Sequence, residues 1–283
     1  MYELMLAPFI ACLILTGIYA YFGIHIIERE IIFVDLALAQ IAALGAISSI
    51  LFGVEIHSTS AYLISLLFTL IGAGIFSLTR VKDKKVSQEA IIGIVYAVST
   101  AGAILVLTKI PEEAEHIKGM LVGNILFVTG VDIFKIFIVA ILVGIFHIIW
   151  RKTFLKISLY PREAENQGIR IKLWDFLFYA TFGLVVTTSV AVAGVLLVFS
   201  YLIVPAVCAG LVFEKISKRL ILGWIIGILT SIIGLFLSYQ LDLPTGAAIV
   251  CTFGVILVAF WILRRVLGSD YHIKVKHFFK FFL

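Results

Sequence analysis

The sequence predicts an all-α, polytopic helical membrane protein of about nine transmembrane helices, and three observations carry that prediction. Of the 283 residues, 62% are apolar and only 14% are charged, far from the roughly 45–50% and 25% of soluble domains. Apolar runs of about 20 residues, the length that crosses a bilayer as a helix, recur from end to end. The third observation is the segment from Gly194 to Phe213, GVLLVFSYLIVPAVCAGLVF, which has no charged residue and holds a proline well inside it. Pro205 frees a backbone carbonyl one turn earlier, and hydrocarbon offers that group no partner. This span therefore faces other protein.

Taken in order, the first run lies near residues 6 to 26. Glu3 stands where a secretory signal would carry lysine or arginine, and the run exceeds a signal h-region, so it reads as a retained span. Further spans are expected near 32–53, 58–79, 88–108 and 131–150. The stretch from Leu173 to Phe213 is about twice the roughly 20 residues of one crossing, which suits a hairpin turning near Gly194. Spans near 220–240 and 244–263 complete the series. If the 194–213 segment were re-entrant, the count would be eight.

Charge orients these spans. Basic residues gather at Arg80, Lys82, Lys84 and Lys85, then at Arg151, Lys152, Lys156, Arg162, Arg170 and Lys172. Lys215, Lys218 and Arg219 form a third group, and the tail from Arg264 to Lys280 a fourth. The excess of Lys and Arg in cytoplasmic loops places all four groups inside. The acidic segment KIPEEAEHIK, from Lys109 to Lys118, then falls outside, as does the N-terminus. The net charge of +5 is thus explained by topology and implies no nucleic-acid partner. Without a linker or a second soluble domain, residues 1–283 read as one membrane domain surrounded by lipid.

Composition also excludes some chemistry. Cys12, Cys208 and Cys251 sit in apolar runs without CxxC or Cys/His spacing, so neither a disulfide framework nor a structural zinc site is indicated. The chain has no GxxxxGK[ST] phosphate loop and no HExxH pair, so no cofactor and no catalytic residue is expected.

Within the second basic loop, LYPREAENQGIRIKLWDF opens with a proline suited to a first helical position, places acids in the first turn and stops at Gly168. These start and stop signals predict a short helix between two spans. Read by itself, such a helix is a surface connector.

Three segments together resemble the membrane permease subunits of ABC importers for divalent transition metals, the zinc, manganese and iron family. FVDLALAQIAALG, from Phe33 to Gly45, is similar to that family's second-span motif. PREAENQG followed by GVLLVFSYLIVPAVCA, from Pro161 to Ala209, resembles its coupling helix and glycine-to-proline hairpin. LSYQLDLPTGAAIV, from Leu237 to Val250, resembles the turn between its last two spans, with Pro244 and Gly246 as the fixed and permissive backbone positions. The resemblance implies a type II importer-like permease in the plasma membrane, homodimeric, with alternating access and no ATPase of its own. A cytoplasmic ABC ATPase subunit would receive the helix of Pro161, Arg162, Glu163, Ala164, Glu165 and Gly168. An extracytoplasmic metal-binding protein would deliver the ion near Glu112, Glu113, Glu115 and His116, whose acids either concentrate cations or form a plain solvated loop.

The chain departs from the family where a ligand pair is expected. Family members place an aspartate and, four residues later, a histidine on the second span; aligned on Gly45, this chain has Leu36 and Gln40. Leucine cannot ligate and glutamine offers only a neutral oxygen. Asp35 is rotated about 100° from position 36 and does not restore the pair. Asn124 stands where the family often has an acid. Gln40, Asp35 and Asn124 are the candidate pathway residues, with two readings open for the first two. Gln40 either lines the pathway or bridges helices; Asp35 either joins it or is an interfacial carboxylate with an arginine partner near Glu28, Arg29 and Glu30. The loss of the pair leaves an importer of iron chelates or cobalamin as the alternative, and a secondary cation transporter as a more distant one.

Overall fold

The computed structural model describes residues 2–55, 58–80, 87–109 and 125–267, which among themselves form helices and no strand. In chain order these are α1 (Tyr2–Glu28), α2 (Val34–Ile50), α3 (Thr59–Leu78), α4 (Gln88–Leu107), α5 (Gly130–Ile149) and α6 (Arg151–Leu159). They continue as α7 (Pro161–Asn166), α8 (Ile171–Ala193), α9 (Val195–Val212), α10 (Ile216–Leu241) and α11 (Thr245–Leu267), with a 3-10 turn at Ile125–Phe127.

Eight of the described helices are long and apolar enough to cross a membrane, and α9, the segment whose crossing was in question, is one of them. The ninth expected span is α2, a shorter apolar helix of 17 residues. At 1.5 Å per residue it is about 26 Å long, the short end of what crosses. It is shorter than the expected 32–53 because backbone turns bound it on both sides. Glu30 adopts φ 57° before it, and Gly53 adopts φ 71° after it. The next two spans begin where serine caps them: Ser58 accepts from the Ala61 N–H and Ser87 from the Ala90 N–H, each at 3.2 Å.

Contacts divide the chain into two compact units. One contains α1 up to Ile27, the 3-10 turn, α9 from Leu196, α10 and α11. Small residues let its backbones approach. A Cβ at Gly23 of α1 would collide with the Leu202 carbonyl of α9, and one at Gly223 of α10 would stand 3.7 Å from the Pro205 ring. Pro205 is buried inside an unbroken helix, facing protein as its sequence requires. Tyr201 shares a hydrogen bond with Ser231 of α10 and packs edge-on against Phe253 of α11 at 4.9 Å.

The other unit contains α2 to α8. Its helix α2 is enclosed by α3, α4 and α8, and twelve of its seventeen residues are buried, so most of its surface meets protein rather than lipid. Helices α3 and α8 run antiparallel and are joined along their length by polar contacts. Tyr62 bonds Thr188 at 2.9 Å, Thr69 bonds Thr187 at 3.1 Å, and Ser77 donates to the Lys172 carbonyl. Contacts of this kind contribute about 1 kcal/mol each or less in a membrane. At one end, His147 of α5 stacks on Phe154 of α6 at 4.2 Å and bonds Thr181 of α8, while Trp174 and Phe178 of α8 pack on the same phenylalanine. This aromatic cluster packs the first turn of α6, at Phe154, against α5 and α8.

Two turns complete the picture. Gly194, between α8 and α9, adopts φ 80° and ψ 158°, a conformation that favours glycine, and its N–H returns to the Val190 carbonyl at 2.9 Å. The turn between α10 and α11 differs from expectation at Gly246, which sits inside the first turn of α11 without a positive φ. Asp242 supplies the left-handed position instead, at φ 51°, because a short acidic side chain tolerates that region better than most. Pro244 does lead into the next helix, its carbonyl accepting from the Ala248 N–H at 3.0 Å.

Candidate functional site

Helix α2 presents the first candidate region. Its partly exposed positions, Leu36, Ala43, Leu44, Ser48 and Ile50, lie on one side, and Gln40 falls within that side. Gln40 retains 8% exposure, and its amide joins no described residue by a hydrogen bond. The helix-bridging alternative therefore has no bond to rest on among the described residues. Ile47 shares this side but is covered to 2%.

Asp35 is placed otherwise than an interfacial carboxylate. It is wholly buried on the covered side of α2, and neither of its oxygens meets a hydrogen-bond partner among the described residues. The arginine expected beside it turns elsewhere: Arg29 Nη1 reaches Asp175 Oδ1 of α8 at 2.8 Å. Asp35 and Gln40 thus do not converge, and Asn124 lies outside the described residues, as does the acidic segment with Glu112, Glu113, Glu115 and His116. No group of three or more His, Cys, Asp or Glu side chains able to hold a metal gathers among the described residues.

The charge cluster around Asp175 is a feature that sequence reading missed. Asp175 has no exposed side-chain surface and accepts from two guanidinium groups, Arg29 on Oδ1 and Arg80 on Oδ2. Arg29 also donates through Nε to Ser158 Oγ at 2.8 Å and lies 4.0 Å from the centre of the Phe178 ring. The usable signal was the lone acid in KLWDF, an aspartate in the first turns of a span, for which a cationic partner is the favourable way to be buried in the charged form.

The second candidate region is α7. Pro161 opens it at its first position, Ala164 is fully buried, and Arg162, Glu163 and Glu165 are exposed around it. The helix ends as its sequence predicts: Gly168 adopts φ 74°, its N–H bonds the Glu165 carbonyl at 2.9 Å, and the Ile169 N–H bonds the Ala164 carbonyl at 3.1 Å. Lys156 of α6 bonds the Gln167 side chain beside this stop. The product is a short ledge anchored by one alanine, with its charged side chains outward.

A manganese transport system membrane protein of Listeria monocytogenes is 31% identical over 169 residues, covering 60% of this chain and 60% of that protein. The chain thus spans about 60% of the length of the Listeria manganese relatives it matches. A probable iron transport system membrane protein of Haemophilus influenzae is 25% identical over 92% of this chain and 94% of its own length. Among solved structures, PsaBC from Streptococcus pneumoniae superposes with a TM-score of 0.76 at 22% identity, over 92% of this chain and 91% of that one, a likeness of fold. A family model described as the ABC 3 transport family matches residues 1–264. A multi-pass helical membrane chain matched over that length belongs to the ABC 3 transport family.

Proposed function

We propose that this chain is the translocation subunit of an ATP-driven importer that moves divalent transition metal ions, manganese, iron or zinc, across the plasma membrane by alternating access. The match of residues 1–264 to the ABC 3 transport family carries this reading, and relatives named for manganese and iron transport support the substrate class. Residues 1–283 act as one permease domain, and two copies form the pathway. Gln40, on the incompletely covered side of α2, lines that pathway as a neutral oxygen donor, a weak ligand that lets an ion pass. ATP hydrolysis belongs to a separate cytoplasmic subunit that seats α7, and an extracytoplasmic binding protein supplies the ion.

The docking part of the reading rests on the outward side chains of Glu163 and Glu165. Replacing both with lysine reverses the charge of the ledge without touching Ala164. Co-purification of the ATPase subunit with Glu163→Lys/Glu165→Lys tests it: loss of association is expected, and retained association with metal-stimulated ATP hydrolysis would remove the docking assignment. Metal content of cells with and without the chain, measured for manganese, iron and zinc, tests the substrate class.

A further inference from the structure

The Arg29 side chain ties together elements that the sequence keeps far apart. Ser158 is in the last turn of α6, and only Leu159 and Tyr160 separate it from Pro161. That short connection is stiff. The Tyr160 N–H bonds the Lys156 carbonyl at 2.8 Å, and the Tyr160 carbonyl accepts from the Ala164 N–H at 3.0 Å. A displacement of α7 therefore carries Ser158 with it. At its other side, Arg29 belongs to the junction between α1 and α2, where Glu30 is left-handed and the Phe33 N–H bonds Glu89 Oε1 of α4 at 3.0 Å. Four residues after Arg29 begins the N-cap of α2, the helix that carries Gln40.

We propose that Ser158 and Arg29 form the link through which movement of the docking helix α7 reaches α2, with Asp175 as the fixed anchor on which Arg29 turns. The proposal rests on α7 being the docking helix. The geometry separates the anchor from the link. Asp175 holds Arg29 and Arg80 at once, so it ties the α1–α2 junction to the end of α3 and the start of α8 whatever α7 does. The Nε–H of Arg29 is directed at Ser158, outside the spans. Phe178 lies against the guanidinium, its ring centre 4.0 Å from the Arg29 Cζ. Ser158 and Arg29 are thus positioning residues: neither meets the ion or ATP, and both set where α2 stands when α7 is moved. Spatial continuity by itself does not establish coupling, so the test measures the coupling directly.

The permease is reconstituted in lipid vesicles with its ATPase subunit, and manganous ion taken up per ATP hydrolysed is measured for Ser158→Ala, Arg29→Gln and the double variant. Ser158→Ala is expected to keep the subunits associated and hydrolysing ATP while uptake per ATP falls by about tenfold or more, the scale of losing one hydrogen bond to a charged group. The double variant should be no worse than Arg29→Gln, and Ser158→Thr, which keeps the hydroxyl, should restore the ratio. Should Arg29→Gln fail to assemble, Arg29→Lys takes its place in the cycle, since lysine keeps the charge but not the planar fork. An unchanged ratio in assembled Ser158→Ala, or additive effects in the cycle, would overturn the link. So would dissociation of the ATPase subunit in Ser158→Ala, because the hydroxyl would then serve docking. The docking assignment fails separately, by retained association in Glu163→Lys/Glu165→Lys.

Discussion

Gly227 of α10 and Thr16 of α1 meet so closely that a Cβ on the glycine would stand 2.6 Å from the threonine Cγ2 and 2.9 Å from its Oγ1. Helix propensity alone favours alanine over glycine by about 1 kcal/mol, whereas overpacking a close contact costs about 1–3 kcal/mol. Packing should win here. Gly227→Ala is expected to lower the unfolding temperature in detergent, and Gly254→Ala on α11, where nothing lies within 4 Å, should leave it unchanged or raise it. Equal behaviour of the two variants would contradict the close approach of α1 and α10.

Asp175 should be the most costly polar side chain of its unit to remove. Asp175→Ala leaves Arg29, 4% exposed, without its counter-charge, while Arg80, 28% exposed, can turn toward water. Breaking a buried pair from one side costs about 3–5 kcal/mol. Chemical unfolding should show that loss for Asp175→Ala and a clearly smaller one for Arg80→Ala. The opposite ranking would mean that Arg80 is the main partner.

Complete crossing by α9 places Ala191 and Ser217, both exposed, on opposite sides of the membrane. Single cysteines at these two positions, in a background without Cys12, Cys208 and Cys251, are expected to react with an impermeant thiol reagent from the outside and from the cytoplasm respectively. Labelling of both from one side would reduce the topology to eight spans.

Converting Leu36 to Asp together with Gln40 to His puts two ligands four residues apart on one face of α2, a spacing that suits a single divalent ion. If that face lines the pathway, purified Leu36→Asp/Gln40→His should retain manganese or zinc that the natural chain does not. If the face only packs against helices, the variant should lose stability through an unpaired buried carboxylate, with no gain in metal. Calorimetric titration with each ion separates these results.

Hydropathy and loop charge made the spans legible, since a bilayer imposes a length and a composition that a single chain displays without its partners. Gly194 was legible for a related reason: a break between two apolar runs needs a residue free of a Cβ. What escaped was pairing across long separations. Arg29 and Asp175 are 146 residues apart and Arg80 and Asp175 are 95 apart, and nothing in either neighbourhood names the other. The arginine partner offered for Asp35 failed for the same reason, because the nearest arginine along the chain has a better partner on another helix. The α10–α11 turn shows a different limit. Glycine and proline announce turns, yet the left-handed residue there is Asp242, whose signal was present and weaker than that of Gly246. The role given to α7 came from family likeness, and its outward charges came only with the fold.

Helix α2 has a consequence for how the chain is made. It is short, it carries Asp35, Gln40, Ser48 and Ser49, and its neighbours cover most of it. At seventeen residues it gains less from hydrocarbon on first insertion than the longer spans do, and its acid and amide reduce that gain further. Helix α3 supplies what lipid does not. Its Ser65 donates to the Ala42 carbonyl at 2.7 Å, and Gly45 and Gly72 let the two backbones close on each other. The two helices are thus matched to pack as a hairpin, and much of α2 meets its neighbours rather than lipid. Its protein-facing side can thereby hold polar groups such as Asp35 and Ser49, which a side turned to lipid would exclude.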